Sequence, residues 1–256
     1  MTGHKPHDFY SIGAQRLSLH HMTGHLDVDT MHTVNSFFIS RQVTFAEYKL
    51  YLATIQRDSP VAFYRSQLPD TSMVPDSKTY ETYISNDDYD KDPVLGITWE
   101  SAMNYCRWMT IRENPKDSLT FIYRLPHLHE WLAAYNYLND KYVKHDFNQT
   151  YSDWLITTMY DGFGSKMLRT IFSQDDFRPS VILNSPGDPP AMKRKYVIGN
   201  SYRRKTEYPM KPIHYLYCDQ GSREVGFRYV VEKLIPSDTS RWSIPNMIIK
   251  HWGLKK

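Results

Sequence analysis

The sequence has little of several features that define whole classes of protein. Its two cysteines, Cys106 and Cys218, are too few for a disulfide scaffold or a cysteine-rich zinc site. No apolar run reaches the roughly 18 residues of a membrane-spanning helix, and the first residues lack the apolar core of a signal peptide. The net charge is only +3, whereas binding to nucleic-acid phosphates needs clustered Lys and Arg. We therefore expect no nucleic-acid partner and interpret the short basic runs at 193–195 and 203–205 as solvated surface.

Aromatic residues are abundant instead. Tyr, Phe and Trp number 20, 11 and 6 in 256 residues, and 41% of the chain is hydrophobic. This composition excludes disorder, because so many rings can bury enough surface to offset the entropy of the chain. The length suits one large domain or two small ones. The chain also contains no glycine-rich phosphate loop and no nucleophile-elbow motif.

Three amphipathic helices are predicted from apolar periodicity and end signals. The first begins near Thr44, because Thr44 and Glu47 have capping-box spacing. The second begins after Thr98 and stops at Pro115, and the third begins after Pro126. Short strands are predicted around 154–159, 195–198 and 225–231, and a long polar excursion spans 59–92. The tail from 236 to 256 could pack back onto the domain or dock on a partner.

Five motifs follow one another between residues 34 and 231. They are residues 36–44 with Glu47 and Tyr48; residues 93–99 with Tyr105, Cys106 and Trp108; residues 123–126 with Glu130 and Trp131; residues 196–202; and residues 225–228. In this order they resemble the formylglycine-generating-enzyme-like domain, also called the sulfatase-modifying-factor domain. The resemblance implies an α+β, C-type-lectin-like fold that is loop-rich, with few regular helices and short antiparallel strands.

The resemblance also implies how the chain is divided and which residues build its scaffold. We expect an N-terminal segment at 1–33, the domain at 34–235 and a C-terminal tail at 236–256. The motif residues expected to be structural are Thr44, Trp99, Arg124, Pro126, Trp131, Gly226 and Arg228.

Copper chemistry in this family depends on two nearby cysteines between the fourth and fifth motifs. Thiolates suit monovalent copper because both are soft. Here the interval 200–225 contains only Cys218, and Arg203 and Arg204 lie where the first thiolate is expected. Cys106 falls at an ordinary core position of the second helix. We therefore expect a pseudoenzyme without catalytic residues, with a divergent metal-dependent oxidase of the same family as an alternative.

Other metal sites are weaker expectations. A second branch of the family binds iron through histidines, but the cluster His20, His21, His25 and His32 is interpreted as solvated, and His127 and His129 as surface residues. Hard oxygen ligands occur at close spacing in Asp87, Asp88, Asp90 and Asp92, which calcium prefers. That run lacks the glycine of an EF-hand loop, so calcium is a possible cofactor and no cofactor is firmly implied.

Residues 188–197 resemble a run found in gliding-motility lipoproteins of the type IX secretion apparatus. This narrower resemblance implies a non-catalytic, periplasmic or outer-membrane-associated part of a ring or scaffold that contacts protein partners. A lipid anchor would require that an N-terminus had been removed. Tyrosines are typical of interfaces, and the candidates for contact are Tyr202, Tyr208, Tyr215 and Tyr217. A lectin-like module that binds a small ligand or glycan is the alternative.

Overall fold

The described residues fold into an α+β arrangement of two four-stranded sheets, a two-stranded ribbon and helices that pack against them. The computed structural model describes residues 9–18, 31–70, 77–116, 118–139, 151–158, 193–199, 214–238 and 243–255. Within these ranges, no helix is both long and apolar enough to cross a membrane.

The first sheet joins distant parts of the chain in antiparallel pairs. Its order is β1 (Phe9–Ile12), β4 (Phe37–Ser40), β10 (Val230–Lys233) and β5 (Phe121–Arg124). Phe9 pairs with Ser40 and Ile12 with Phe37, so the segment before residue 34 supplies an edge strand to this sheet. The ribbon pairs β2 (Gln15–Ser18) with β3 (Met31–Val34). The expected boundaries at 33 and 235 stay predictions.

The second sheet carries the late motifs. Its order is β8 (His214–Tyr217), β7 (Arg194–Ile198), β6 (Ser152–Thr158) and β9 (Val225–Phe227), with β6 and β9 parallel. The strands predicted around 154–159 and 195–198 are confirmed. The single strand expected at 225–231 is two strands, because Arg228 and Tyr229 carry the chain from the second sheet into the first.

The three predicted helices are confirmed with their end signals. They are α1 (Phe45–Asp58), α4 (Trp99–Glu113) and α5 (Leu128–Asn139). At α1 the Glu47 N–H donates to Thr44 Oγ1 at 3.4 Å, and the Thr44 N–H donates to Glu47 Oε2 at 2.7 Å. At α4 the Ser101 N–H donates to Thr98 Oγ1 at 3.0 Å. These bonds satisfy backbone donors that a helix start leaves open.

The excursion at 59–92 is more ordered than the sequence predicts. It contains α2 (Val61–Ser66), α3 (Ser77–Ser85) and a short 3₁₀ turn at Asp87–Tyr89. Tyr83 of α3 stacks on Phe45 of α1 at a centroid distance of 4.6 Å. The sequence carries little sign of α2, because it contributes no fully buried residue and only Phe63 and Tyr64 pack partly against the core.

The C-terminal tail packs back onto the domain as α6 (Ile244–Trp252). Its Met247, Ile248, Ile249 and Trp252 are buried in the same apolar cluster as α1 and α4. Gly253, with a φ of +66°, ends the helix in the left-handed conformation that favours glycine. Of the two interpretations of the tail, the structure therefore shows the intramolecular one.

Much of the aromatic content lies in the core. Tyr48, Tyr51, Tyr105, Phe227 and Tyr229 are almost fully buried, and their rings meet edge-on or stacked at 5.3–6.4 Å. Such pairs add favourable quadrupole contacts to the burial of large apolar surfaces. These tyrosines therefore stabilise the fold and are not free for partners.

Candidate functional site

A buried ionic centre connects the third and fifth motifs. Asp153 of β6 accepts hydrogen bonds from Arg228 Nε at 2.9 Å, Trp131 Nε1 at 2.9 Å and Gln42 Nε2 at 2.8 Å. The side chains of Arg228 and Asp153 are each only 1% exposed. A carboxylate held by three donors is fixed in place, so this centre positions the sheet around it.

A second buried pair anchors the start of α5. Arg124 donates to both carboxylate oxygens of Glu130 at 2.8 Å and also contacts Glu232. Glu130 Oε2 additionally accepts the His127 N–H at 2.8 Å. Burial alone would raise the pKa of Glu130, but the adjacent guanidinium outweighs it and lowers the pKa to about 2. The pair is therefore ionised throughout the neutral range.

The remaining motif residues also make structural contacts. Trp99 Nε1 donates to Leu155 O at 2.8 Å, and the Pro126 carbonyl accepts the Ile156 N–H at 3.0 Å. A Cβ at Gly226 would lie 3.3 Å from Val94 O, which leaves little room for any other residue. All of these contacts join segments that are far apart in the sequence.

The lone cysteine of the 200–225 interval lies just after β8, against the first turn of α4. Cys218 is 2% exposed, and its Sγ lies 3.7 Å from Glu100 Oε1. Burial raises the pKa of this thiol to about 12, with help from the negative charges of Glu100 and Asp219. At neutral pH the group is therefore a protonated thiol that donates towards Glu100.

The other cysteine is equally protected. Cys106 is fully buried on α4, and burial raises its pKa well above the ordinary value. Both cysteines are free. Thiols in such surroundings are poor nucleophiles and poor ligands, because the thiolate is the reactive species.

The profile of the sulfatase-modifying factor enzyme 1-like domain matches residues 21–170, more than half of the chain. The chain belongs to this family. No curated protein sequence matches it.

One solved structure extends the likeness in fold to most of the chain. The crystal structure of CarF is 13% identical with a TM-score of 0.55, and the match covers 89% of this chain and 98% of CarF. PvdO from Pseudomonas aeruginosa is 14% identical with a TM-score of 0.44, covering 88% of this chain and 91% of PvdO. Treponema denticola variable protein 1 is 12% identical with a TM-score of 0.46, covering 87% and 93%. The likeness to CarF shows a shared fold, and the expected α+β class is confirmed.

The acidic run expected to attract calcium already surrounds a lysine. Lys49 Nζ lies 2.7 Å from Asp90 Oδ1 and 3.4 Å from Asp87 Oδ1. Asp88 accepts from Asn86 Nδ2 at 3.1 Å, and the Asp92 carbonyl accepts the Phe45 N–H at 2.8 Å. Among the residues that the structure describes, no three His, Cys, Asp or Glu side chains are grouped closely enough to hold a metal. Calcium binding stays a prediction.

Of the four tyrosines proposed for contact, only Tyr217 has a side chain within the described part of the chain. Tyr217 is half-buried, and its hydroxyl accepts from Arg194 Nη2 at 3.0 Å while the guanidinium lies over its ring. Tyr215 lies in β8, paired with Tyr196, but its side chain is outside the described part of the chain, as are Tyr202 and Tyr208 entirely. Their role in binding stays a prediction.

Two of the interpretations from sequence were wrong about burial. His127, expected at the surface, is 5% exposed and stacks on His129 at 5.2 Å, and burial lowers its pKa to about 3. Lys195, expected to be solvated, is fully buried, with Nζ 4.2 Å from the centre of the Trp99 ring. The alternation of strand β7 was the available signal, because residues 195 and 197 share one face and Val197 is apolar.

Of the histidine cluster, His32 lies in β3, and His20, His21 and His25 are outside the described residues.

Proposed function

We propose that this chain is a non-catalytic member of its family that binds protein partners, in an envelope assembly of the gliding-motility or type IX secretion kind. One observation supports the loss of catalysis above all others. The only thiol of the interval in which the family's oxidases hold copper is buried, donates towards Glu100, and has a pKa of about 12.

The chemistry follows from the ionisation of that thiol. A copper site of the family type needs two thiolates close together. Cys218 has no second cysteine in its interval, and releasing its proton would place a negative charge beside the Glu100 carboxylate. Lys195 opposes this effect without cancelling it. The position is suited to packing rather than to oxygen activation.

An exposed apolar face supports the binding role. Phe38 is directly opposite Val231, and Phe121 is directly opposite Lys233, so these four side chains share one face of the first sheet. Phe38 is 52% exposed, and Ile235, which follows β10, is 63% exposed. We call this set of residues the Phe38 face. A complementary partner surface would have apolar side chains and an acidic group placed to contact Lys233.

The loss of catalysis can be tested on the purified protein. We expect Cys218→Ser and the control Cys106→Ser to show the same low rate of oxygen-dependent oxidation of a cysteine-containing peptide as the natural chain, with and without added Cu(I). An oxygen-dependent turnover that disappears in Cys218→Ser and persists in Cys106→Ser would contradict the proposal.

The binding role needs a separate experiment. We expect the tagged chain to recover a stoichiometric protein partner from the native envelope, and Phe38→Asp to lose it. Leu50→Asp is the matched control, because Leu50 is similarly exposed at 56% but lies on α1. Equal recovery by both variants would show that the Phe38 face is not the binding surface.

A further inference from the structure

A pocket of about 280 Å³ opens between α4 and α6. Its apolar lining comes from Trp99 and Met103 of α4 and Trp252 of α6. It exists only because the C-terminal helix folds back onto the domain. A concave site with an apolar floor and a few convergent polar groups is the usual form of a ligand site.

The polar groups of this pocket follow the helical repeat. Glu100, Asn104 and Arg107 are at positions i, i+4 and i+7 of α4, so they lie in a row on one face. A rise of 1.5 Å per residue separates the Cα atoms of Glu100 and Arg107 by about 10.5 Å along the axis. The row therefore begins with a carboxylate, has an amide in the middle and ends with a guanidinium.

Two residues of the row, Arg107 and Asn104, keep hydrogen-bonding groups available for a ligand. Arg107 Nη2 donates to the Trp252 carbonyl at 3.2 Å, and a guanidinium carries five N–H donors, so other donors remain for a planar anion. Asn104 Nδ2 donates to Gln67 Oε1 at 3.3 Å, which leaves its amide oxygen as an acceptor. His251 also lines the pocket, and burial together with Arg107 lowers its pKa. A neutral imidazole adds hydrogen bonds without a second positive charge.

The tryptophans favour a peptide over a sugar. Trp99 is 3% exposed and holds the Lys195 ammonium against its ring, while Trp252 is 7% exposed. Sugars that stack on a protein need an open aromatic face. Rings as buried as these leave little open face for a sugar to stack on.

We propose that the α4–α6 pocket binds the C-terminal end of a partner polypeptide. Arg107 receives the terminal carboxylate, and the amide oxygen of Asn104 accepts a backbone N–H. Glu100 receives an N–H or a basic side chain further back. The span of about 10.5 Å corresponds to roughly three extended residues. This inference deepens the proposed function, on which it rests for the protein nature of the ligand.

The test uses the full chain and pooled N-acetylated tripeptides whose third residue from the C-terminus is either basic or neutral. We expect peptides with free carboxylates to bind in calorimetry, and the same peptides as C-terminal amides to bind at least tenfold more weakly. Arg107→Gln should lose binding at least tenfold. Arg107→Lys should retain more of the affinity than Arg107→Gln, because lysine keeps the positive charge but cannot make the paired hydrogen bonds of a guanidinium.

Two controls separate binding from folding. Arg57→Gln removes an exposed arginine of α1 and should leave the affinity unchanged. Arg107→Lys keeps a donor for the Trp252 carbonyl, so its thermal unfolding should match that of the natural chain. Glu100→Gln should weaken only the peptides with a basic third residue, because neutral peptides make no ion pair there.

Several outcomes would overturn the inference. These are equal binding of amides and free carboxylates, no loss in Arg107→Gln, or preferential binding of mono- and disaccharides. Each would leave the proposed function to be decided by Phe38→Asp, because the Phe38 face contains no residue of the pocket. Loss of partner recovery in Phe38→Asp with failed peptide binding would reject the pocket and keep the proposed function.

Discussion

Two ionic clusters in this molecule hold opposite charges at nearly the same distance in very different surroundings. Arg228 and Asp153 lie 2.9 Å apart, each 1% exposed, whereas Lys49 and Asp90 lie 2.7 Å apart at 24% and 32%. In the first cluster Trp131 and Gln42 also donate to the carboxylate. In the second, water and dissolved ions reach the same atoms as the lysine does.

This difference shows which charges hold the fold and which can change partners. Removing one member of a buried pair leaves an uncompensated charge in a medium of low polarity. Removing one member of an exposed pair costs little, because water replaces the lost contact. The distance between the charges therefore says less about their contribution than their burial does.

The largest expected effect comes from breaking the buried centre. Arg228→Met should lower the free energy of unfolding by about 3–5 kcal/mol, because Asp153 would remain buried and charged. Denaturant titration followed by far-UV circular dichroism measures this loss. The double variant Arg228→Met with Asp153→Leu should recover a large part of it.

A matched surface change sets the scale for that measurement. Arg57→Met breaks an exposed ion pair of 2.7 Å with Asp58 in the last turn of α1 and should not change stability measurably. If Arg228→Met and Arg57→Met had similar effects, burial would not be the property that distinguishes the two clusters.

A medium effect is expected at the second buried pair, and it depends on pH. Because the folded pKa of Glu130 is lowered to about 2, its contribution is fully present above the unfolded value of about 4.5 and is lost as pH falls towards 2. Glu130→Gln should lower stability by about 2–3 kcal/mol at pH 7 and flatten the decline in this acid range. Urea midpoints between pH 7 and 2.5 measure both effects.

His127 also contributes to the dependence of stability on pH, and its effect begins at a higher pH than that of Glu130. Its folded pKa of about 3 lies below the unfolded value of about 6.5, so the unfolded chain takes up a proton first and stability falls below pH 6.5. Glu130→Gln should keep this component. The exposed Glu81→Gln on α3 serves as control and should follow the natural curve throughout, and a flattened curve in that variant would contradict the assignment to Glu130.

The smallest expected effect lies in the exposed cluster. Lys49→Met should lower stability by only about 0.5 kcal/mol, because water reaches both members of the lost ion pair. The same variant should bind calcium more tightly than the natural chain, since the ammonium no longer competes for Asp87 and Asp90. Calorimetric calcium titration of both proteins measures this. Equal affinity would show that these carboxylates do not form the calcium site.

Features that depend on neighbouring residues were predictable from the sequence. The capping box at Thr44, the cap at Thr98 and the start of α5 after Pro126 all involve groups within a few positions of one another. The family and its α+β fold were predictable for a related reason, because five motifs occur in a fixed order. The absence of a second cysteine between residues 200 and 225 could also be determined directly.

Features that depend on distant segments were decided only by the tertiary structure. Residues 225–231 form two strands because Arg228 reaches back to Asp153, and Lys195 is buried because its ammonium packs against Trp99 of α4. The α4–α6 pocket needs a helix from the end of the chain to meet one from its middle. The sequence by itself therefore determined the three long helices with their start signals, the family and the missing second cysteine of the 200–225 interval. Only the tertiary structure decided which charges are buried and where the polar groups of α4 meet an open space, because burial is a property of the packed chain and not of any short segment.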